Sequence, residues 1–195
     1  MSKPVLYSLM AIALAAAGFA AYSLGVILRP APDLQGTELS DPIDVGHLEL
    51  VSADGHTVTL GDFGGVTAVF FGYTRCPDIC PMTMALLADA YEDLGAPEGL
   101  TVVMVTVDPG FDTPEQTHAY ATGFHEDFIG LSGSNQQVAA AAGAFYVGYN
   151  DTHAGMIHTD ALMLVDEAGR FRMVYTSDSV PGVAPDLRRI LASGW

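Results

Sequence analysis

Two uninterrupted apolar runs, VTAVFFGY at 66–73 and TVVMVTV at 101–107, limit what this chain can fold into more than any other feature. A strand with one face in water alternates apolar and polar residues. A run of seven or eight apolar positions suits a strand buried on both faces, as in a parallel sheet with helices above and below. The intervening segments supply such helices. Met82 to Leu94 has helical spacing, with Met82, Leu86, Leu87, Ala90, Tyr91 and Leu94 sharing a side. Thr113-Pro114-Glu115 reads as a helix start, with Thr113 as N-cap and Pro114 at the first helical position, and that helix is expected to reach about Phe124. A short strand FIGL (128–131) and an Ala-rich stretch (135–146) follow. ALMLVD and FRMVYT then read as a hairpin around Glu167-Ala168-Gly169-Arg170, and Pro185 to Ser193 as a closing helix.

Upstream, HLELVSADGHTVTLGDFGG (47–65) holds two short alternating runs around Asp54-Gly55, a hairpin signal. The predicted order is a β-hairpin and then β-α-β-α-β-α-β-β-α. Right-handed helical crossovers between parallel strands make this an α/β sheet covered on both faces. The order resembles the thioredoxin fold with an N-terminal β-hairpin extension, over a single domain at 47–195. Residues 30–46 (PAPDLQGTELSDPIDVG) are rich in Pro, Asp and Gly, so 29–46 reads as a linker. Residues 4–28 run 25 positions without a charge, and a bilayer core needs about 20. They read as one transmembrane anchor. A signal peptide cleaved near Ala20-Ala21 is the rival, but its apolar stretch would normally be only about 7–15 residues long.

Charge narrows the partners. The chain carries 23 acidic residues against 7 basic ones, for a net charge of −16, and from Pro30 onward five arginines face all of the acids. Such a surface repels phosphate backbones and anionic lipid headgroups, which excludes nucleic acid and leaves membrane attachment to an inserted segment.

The only cysteines, Cys76 and Cys80, lie in Cys76-Pro77-Asp78-Ile79-Cys80-Pro81, between a buried strand and a helix. This is the carboxyl edge of the sheet, where α/β proteins place their chemistry. Pro81 is tolerated at the first helical position, so the helix is expected to begin near it, with 76–80 as a loop over its N-terminus. Free N–H groups and the helix dipole there favour thiolate over thiol. A thiolate is both the nucleophile of disulfide exchange and a soft ligand for copper or zinc. C-x3-C widens the bite relative to C-x-x-C, which eases two sulfurs onto one metal without forbidding a disulfide.

Of six histidines, His158 stands at the entry to the strand ALMLVD, where the thioredoxin-like order brings it against the cysteine loop. Two thiolates and an imidazole suit Cu(I), and Cu(II) with an added ligand; zinc would accept them too. His153 is the backup. His47, His56, His118 and His125 read as solvated or capping side chains, and Met82, Met84 and Met156 as core filling rather than thioether ligands. Asp78 reads as an exposed group that tunes the thiols or meets a partner. Asp108 and Asp112 follow the second buried strand at the same edge and read as turn and N-cap residues. No Ser/His/Asp arrangement, phosphate loop or paired-carboxylate site stands out, so catalysis beyond a redox dithiol at Cys76 and Cys80 is not expected.

FFGYTRCPDICPMTM, VTVDPGFDTPEQTHAY and IHTDALMLVDEAGRF, in that order, resemble the Sco/SenC family of copper metallochaperones over roughly residues 45–193. The resemblance implies a copper ion held by Cys76, Cys80 and His158. It also implies delivery to the copper-centre subunit of cytochrome c oxidase, or thiol reduction that prepares the binuclear centre. Another copper chaperone or a thiol-disulfide partner is a further partner the resemblance implies. The expected setting is the inner (cytoplasmic) membrane, with the domain in the periplasm or an equivalent extracytoplasmic space. A thiol-disulfide oxidoreductase with no copper-delivery role is the alternative, and a peroxidase is disfavoured because no separate resolving cysteine exists. Two positions depart from the family pattern: Phe111 replaces the usual basic residue before the aspartate of the second motif, and Ile157 replaces the aspartate before the metal histidine.

Overall fold

The computed structural model describes residues 34–152 and 155–195, with Tyr7, Ile12, 14–19 and Tyr22 of the N-terminal segment. The proposed anchor at 4–28 thus lies largely outside the described residues, as does His153. Among the described residues, no helix is long and apolar enough to cross a membrane.

The two apolar runs form adjacent parallel strands, β4 (Val66–Gly72) and β5 (Leu100–Thr106), in register from Val66↔Leu100 to Gly72↔Thr106. Every residue of β4 is buried, as a doubly covered strand requires. Helix α1 (Ile79–Asp93) connects them. Helix α2 (Pro114–Thr122) leads from β5 to β6 (Ile129–Leu131), with Thr113 and Gln116 forming the expected capping box. Helix α3 (Asn135–Ala144) is closed by a second such box, Ser134 with Gln137. The hairpin β9 (Ala161–Val165) and β10 (Arg170–Thr176) returns along the other side of β4, and helix α4 (Val183–Ser193) ends the domain by packing on α1. The N-terminal hairpin forms as expected from β2 (Glu49–Val51) and β3 (Thr57–Thr59), turning at Gly55 with φ +80°. This is the thioredoxin-like α/β arrangement.

Two features depart from the sequence reading. Residues read as linker contain β1 (Thr37–Asp44), an edge strand that gives the sheet the order β1-β10-β9-β4-β5-β6. Its Pro, Asp and Ser content is what edge strands tolerate, because one side has no ladder to satisfy, and its register slips between Glu38 and Ile43 around Pro42. A buried carboxylate fixes this entry: Asp186 accepts the Gln35 N–H at 2.7 Å, the Gly36 N–H at 3.0 Å and the Tyr175 hydroxyl at 2.9 Å. Leu34–Trp195 therefore form one compact unit. An unforeseen hairpin, β7 (Tyr149–Thr152) with β8 (Gly155–His158), also precedes β9.

Gly130 lets α2 lie directly on β6. A Cβ there would overlap the backbone of Thr117 and His118. Gly130→Ala is expected to destabilise the protein by about 3 kcal/mol, read by urea unfolding, since a backbone clash relaxes less readily than a side-chain one.

Candidate metal centre

After Gly72 the chain leaves β4 and turns through Tyr73 to Asp78 into α1. Gly72 has a second use, since a Cβ there would stand 3.2 Å from the Cys80 Sγ, so the missing side chain lets that sulfur settle against the strand end. Asp78 is the N-cap, its carboxylate accepting the Ile79 N–H at 2.6 Å. The helix thus starts two residues earlier than Pro81 suggested. Pro81 remains in the first turn, where its absent N–H is not missed. With this phase Met82 points to solvent, while Thr83, Met84 and Leu87 face the core.

The early start separates the two cysteines. Cys76 lies before the helix and its Sγ accepts the Cys80 N–H at 3.3 Å, so the helix N-terminus is spent on this sulfur. Cys80 lies inside the first turn with no exposure at all. Both are free. The expectation that the helix terminus favours thiolate over thiol fails for Cys80. Burial pushes its thiol well above the usual range, the hydrogen bond to Cys76 adds to this, and a backbone hydrogen bond from Tyr73 offsets only part. A buried thiol of this kind gives up its proton when a cation replaces it.

His158 is the last residue of β8, held in register opposite Tyr149, rather than part of a bare loop. Its Nδ1 lies 3.0 Å from the Thr159 carbonyl oxygen. The Nδ1–H donates there, which leaves the Nε2 lone pair facing the Cys80 Sγ at 3.5 Å. Tyr73 and Phe70 meet the imidazole edge-on, with ring centroids 5.7 and 6.4 Å away. Burial, the Cys76 charge and a hydrogen bond with Cys76 raise the Tyr73 phenol above its ordinary range, so it stays protonated beside the sulfur. The aspartate absent at Ile157 is not needed to aim this ring, because a backbone carbonyl does so.

Asp112 contradicts its reading as turn chemistry. It is fully buried. One carboxylate oxygen accepts the Thr74 N–H at 2.9 Å and the Thr106 hydroxyl at 2.7 Å; the other accepts the Thr74 hydroxyl. The carboxylate ties the end of β5 to the residue two places before Cys76, while Thr113 does the capping. The sequence signal was its position at the sheet edge, which an ordinary turn aspartate shares. At the rim, the Arg75 guanidinium pairs with Asp108 at 2.5 Å and lies 3.9 Å over the Phe111 ring. The aromatic residue at 111 therefore seats a cation supplied from the cysteine loop.

The ligand atoms of Cys76, Cys80 and His158 all lie within 4.8 Å of one another, and no other such group of histidine, cysteine and acidic side chains occurs among the described residues. Bonds of about 2.0–2.3 Å to a shared ion place three coplanar ligands roughly 3.5–4 Å apart, so the trio can hold a metal with sub-ångström adjustment. The other described histidines have separate tasks. His118 Nδ1 accepts the Gly130 N–H at 3.3 Å, and His125 meets Glu92 at 2.9 Å against the Tyr91 ring. His47 and His56 are exposed, each 3.6 Å from an aspartate. Asp112→Ala would strand three donors, and is expected to cost about 3 kcal/mol and to speed hydrogen exchange at the Thr74 amide. Unchanged exchange there would show that the carboxylate does not hold the loop.

Residues 37–192 match the SCO1/SenC family. The chain is 30% identical over 145 residues to the SCO2-like protein of Rickettsia felis, covering 70% of this chain and 71% of that one. Its fold is similar to apo Sco1 from Thermus thermophilus, with 38% identity, a TM-score of 0.74 and coverage of 82% of this chain and 98% of that one. It is also similar to the copper-bound ScoI of Arabidopsis thaliana, with 28% identity, a TM-score of 0.69 and coverage of 78% and 97%. A family match over nearly the whole described domain, on a fold that gathers two sulfurs and an imidazole at one sheet edge, makes this chain a member of the SCO1/SenC family.

Proposed function

We propose that this protein carries one copper ion on Cys76, Cys80 and His158 and serves assembly of the binuclear copper centre of cytochrome c oxidase. The observation that carries the reading is the convergence of two sulfurs and the imidazole Nε2 within 4.8 Å. Two thiolates with one neutral imidazole make a soft, low-coordinate set that prefers Cu(I) and accepts Cu(II) with a further ligand. The likeness to a structure with copper bound supports the same ion. Delivery to the oxidase is what family membership implies, and the recipient's own copper ligands are the chemistry that would take the ion over. The acidic surface favours cations and basic partner faces.

The uncharged run at 4–28 supports a single membrane anchor, with the domain in an extracytoplasmic space. Expressed with its N-terminus intact, the protein should stay with the membrane fraction through an alkaline carbonate wash. Its release by the wash would end the anchor reading.

Copper titration of the full-length protein tests the site. Cys76→Ser, Cys80→Ser and His158→Ala should each weaken Cu(I) binding at least about a hundredfold, equivalent to about 2.8 kcal/mol. Parent-like affinity in all three would refute the assignment. The free, adjacent thiols favour a second reading, a thiol-disulfide oxidoreductase. Fast disulfide exchange without copper that is indifferent to His158→Ala would select it.

A further inference from the structure

His158 reaches the site on an arm of its own. The ladder of β7 and β8 joins those two strands to each other and, among the described residues, not to the six-stranded sheet. At the arm's base the Thr159 N–H donates to the Gly148 carbonyl oxygen at 2.8 Å, and the Gly148 N–H to the Thr159 hydroxyl oxygen at 3.1 Å. These bonds close the hairpin on itself. The pairing of β4 with β9 brings the arm to the right corner, yet it does not choose how the imidazole is turned. The last torsion of a histidine side chain has broad, roughly two-fold wells, so rotamer preference does not choose either. Contacts must do so.

Tyr73 supplies them from the other half of the site. It follows β4 directly, where the Gly72 carbonyl still accepts the Val107 N–H at 2.8 Å, so its backbone continues a wholly buried strand. Its own carbonyl accepts the Cys76 N–H at 3.2 Å, which closes the four-residue turn that presents the first sulfur. Inside that turn Thr74 is tied to the buried Asp112. The Tyr73 ring stands at 90° to the His158 imidazole with centroids 5.7 Å apart, a favoured T-shaped contact. Phe70, fully buried, adds a second ring at 75° and 6.4 Å. With the Thr159 carbonyl holding Nδ1, these rings limit rotation of the imidazole about its bond to Cβ. One residue thus touches both ligands, Cys76 through its backbone and His158 through its ring.

We propose that Tyr73 is a positioning residue that couples the two halves of the metal site, its carbonyl setting the turn that carries Cys76 and its ring fixing the rotation of the His158 imidazole. The inference rests on the copper-site reading above. Loss of the ring leaves all three ligand atoms in the protein but frees the imidazole to turn its Nε2 away from the sulfurs, and binding must then restore that order. Groups of this kind, one step removed from a metal, typically change affinity 10- to 100-fold. The Tyr73 hydroxyl also bonds with Cys76, so ring and hydroxyl are tested apart.

Tyr73→Leu in the full-length protein removes the ring and keeps the carbonyl; Tyr73→Phe keeps both and removes only the hydroxyl. Cu(I) affinity is measured for parent and variants by competition with a chromophoric chelator, with and without His158→Ala. Tyr73→Leu should lose about tenfold, and Tyr73→Phe no more than about threefold. With His158→Ala present, Tyr73→Leu should cost nothing further, because the ring acts through an imidazole that is gone. An equal loss in both backgrounds overturns the proposal, since a disturbed cysteine loop would weaken binding either way. A Phe loss as large as the Leu loss also overturns it, in favour of the hydroxyl. Proton NMR of the metal-free parent, which needs no variant, should show contacts between the ring protons of Tyr73 and His158; their absence overturns the coupling. A parent that takes up no copper overturns the site reading itself. A copper-binding parent matched by an equally tight Tyr73→Leu overturns the role of Tyr73 alone.

Discussion

The pairing of β4 with β9 is the constraint from which the site follows. The two strands run antiparallel, with Phe70 opposite Leu162 and Thr67 opposite Val165. The C-terminal end of one therefore meets the N-terminal end of the other. Whatever leaves β4 and whatever enters β9 must share one corner of the sheet. The cysteine loop leaves β4 and His158 precedes β9, so residues some eighty positions apart in the chain become neighbours through ladder hydrogen bonds far from either. Both strands are buried throughout, so a slip of one position would drive core side chains to the wrong face. The register that seats Val69 against Met163 also fixes the spacing between sulfur and imidazole.

Around that corner the protein holds polar groups where an ordinary core would hold none. Asp112 and Cys80 are fully buried. Asp112 is compensated by three hydrogen bonds. Cys80 remains a thiol because burial disfavours its charge. A cation that binds there replaces a proton and restores the balance of charge that burial denied.

The two departures from the family pattern both find local answers. At 157 an apolar residue stands where an aspartate would orient the histidine, and the Thr159 carbonyl takes the Nδ1 proton instead. At 111 an aromatic ring stands where a cation is usual, and it supports Arg75, which also pairs with Asp108. In each case the physical task, a proton acceptor at one nitrogen or a positive charge at the rim, is met by a different atom.

Most of the α/β framework was legible from local rules: buried strands as continuous apolar runs, Thr113 as a cap, Gly55 at a turn. The cysteine pair and His158 were legible because chain order alone places them at one edge. Asp112 was not, because a turn aspartate and a buried clasp look alike until their neighbours are known. Nor was β1, since an edge strand carries the composition of a linker, and its membership depends on Asp186, about 150 residues away. The start of α1 was misplaced by two residues because Asp78, not Pro81, decides it. The sequence by itself determined the element types, the donor set and their shared edge, because these depend on side-chain chemistry and on the periods of helix and strand. Only the tertiary structure decided which thiol is buried, which nitrogen of His158 is free and which donors Asp112 holds, because burial and hydrogen-bond partners come from residues that meet only when the sheet closes.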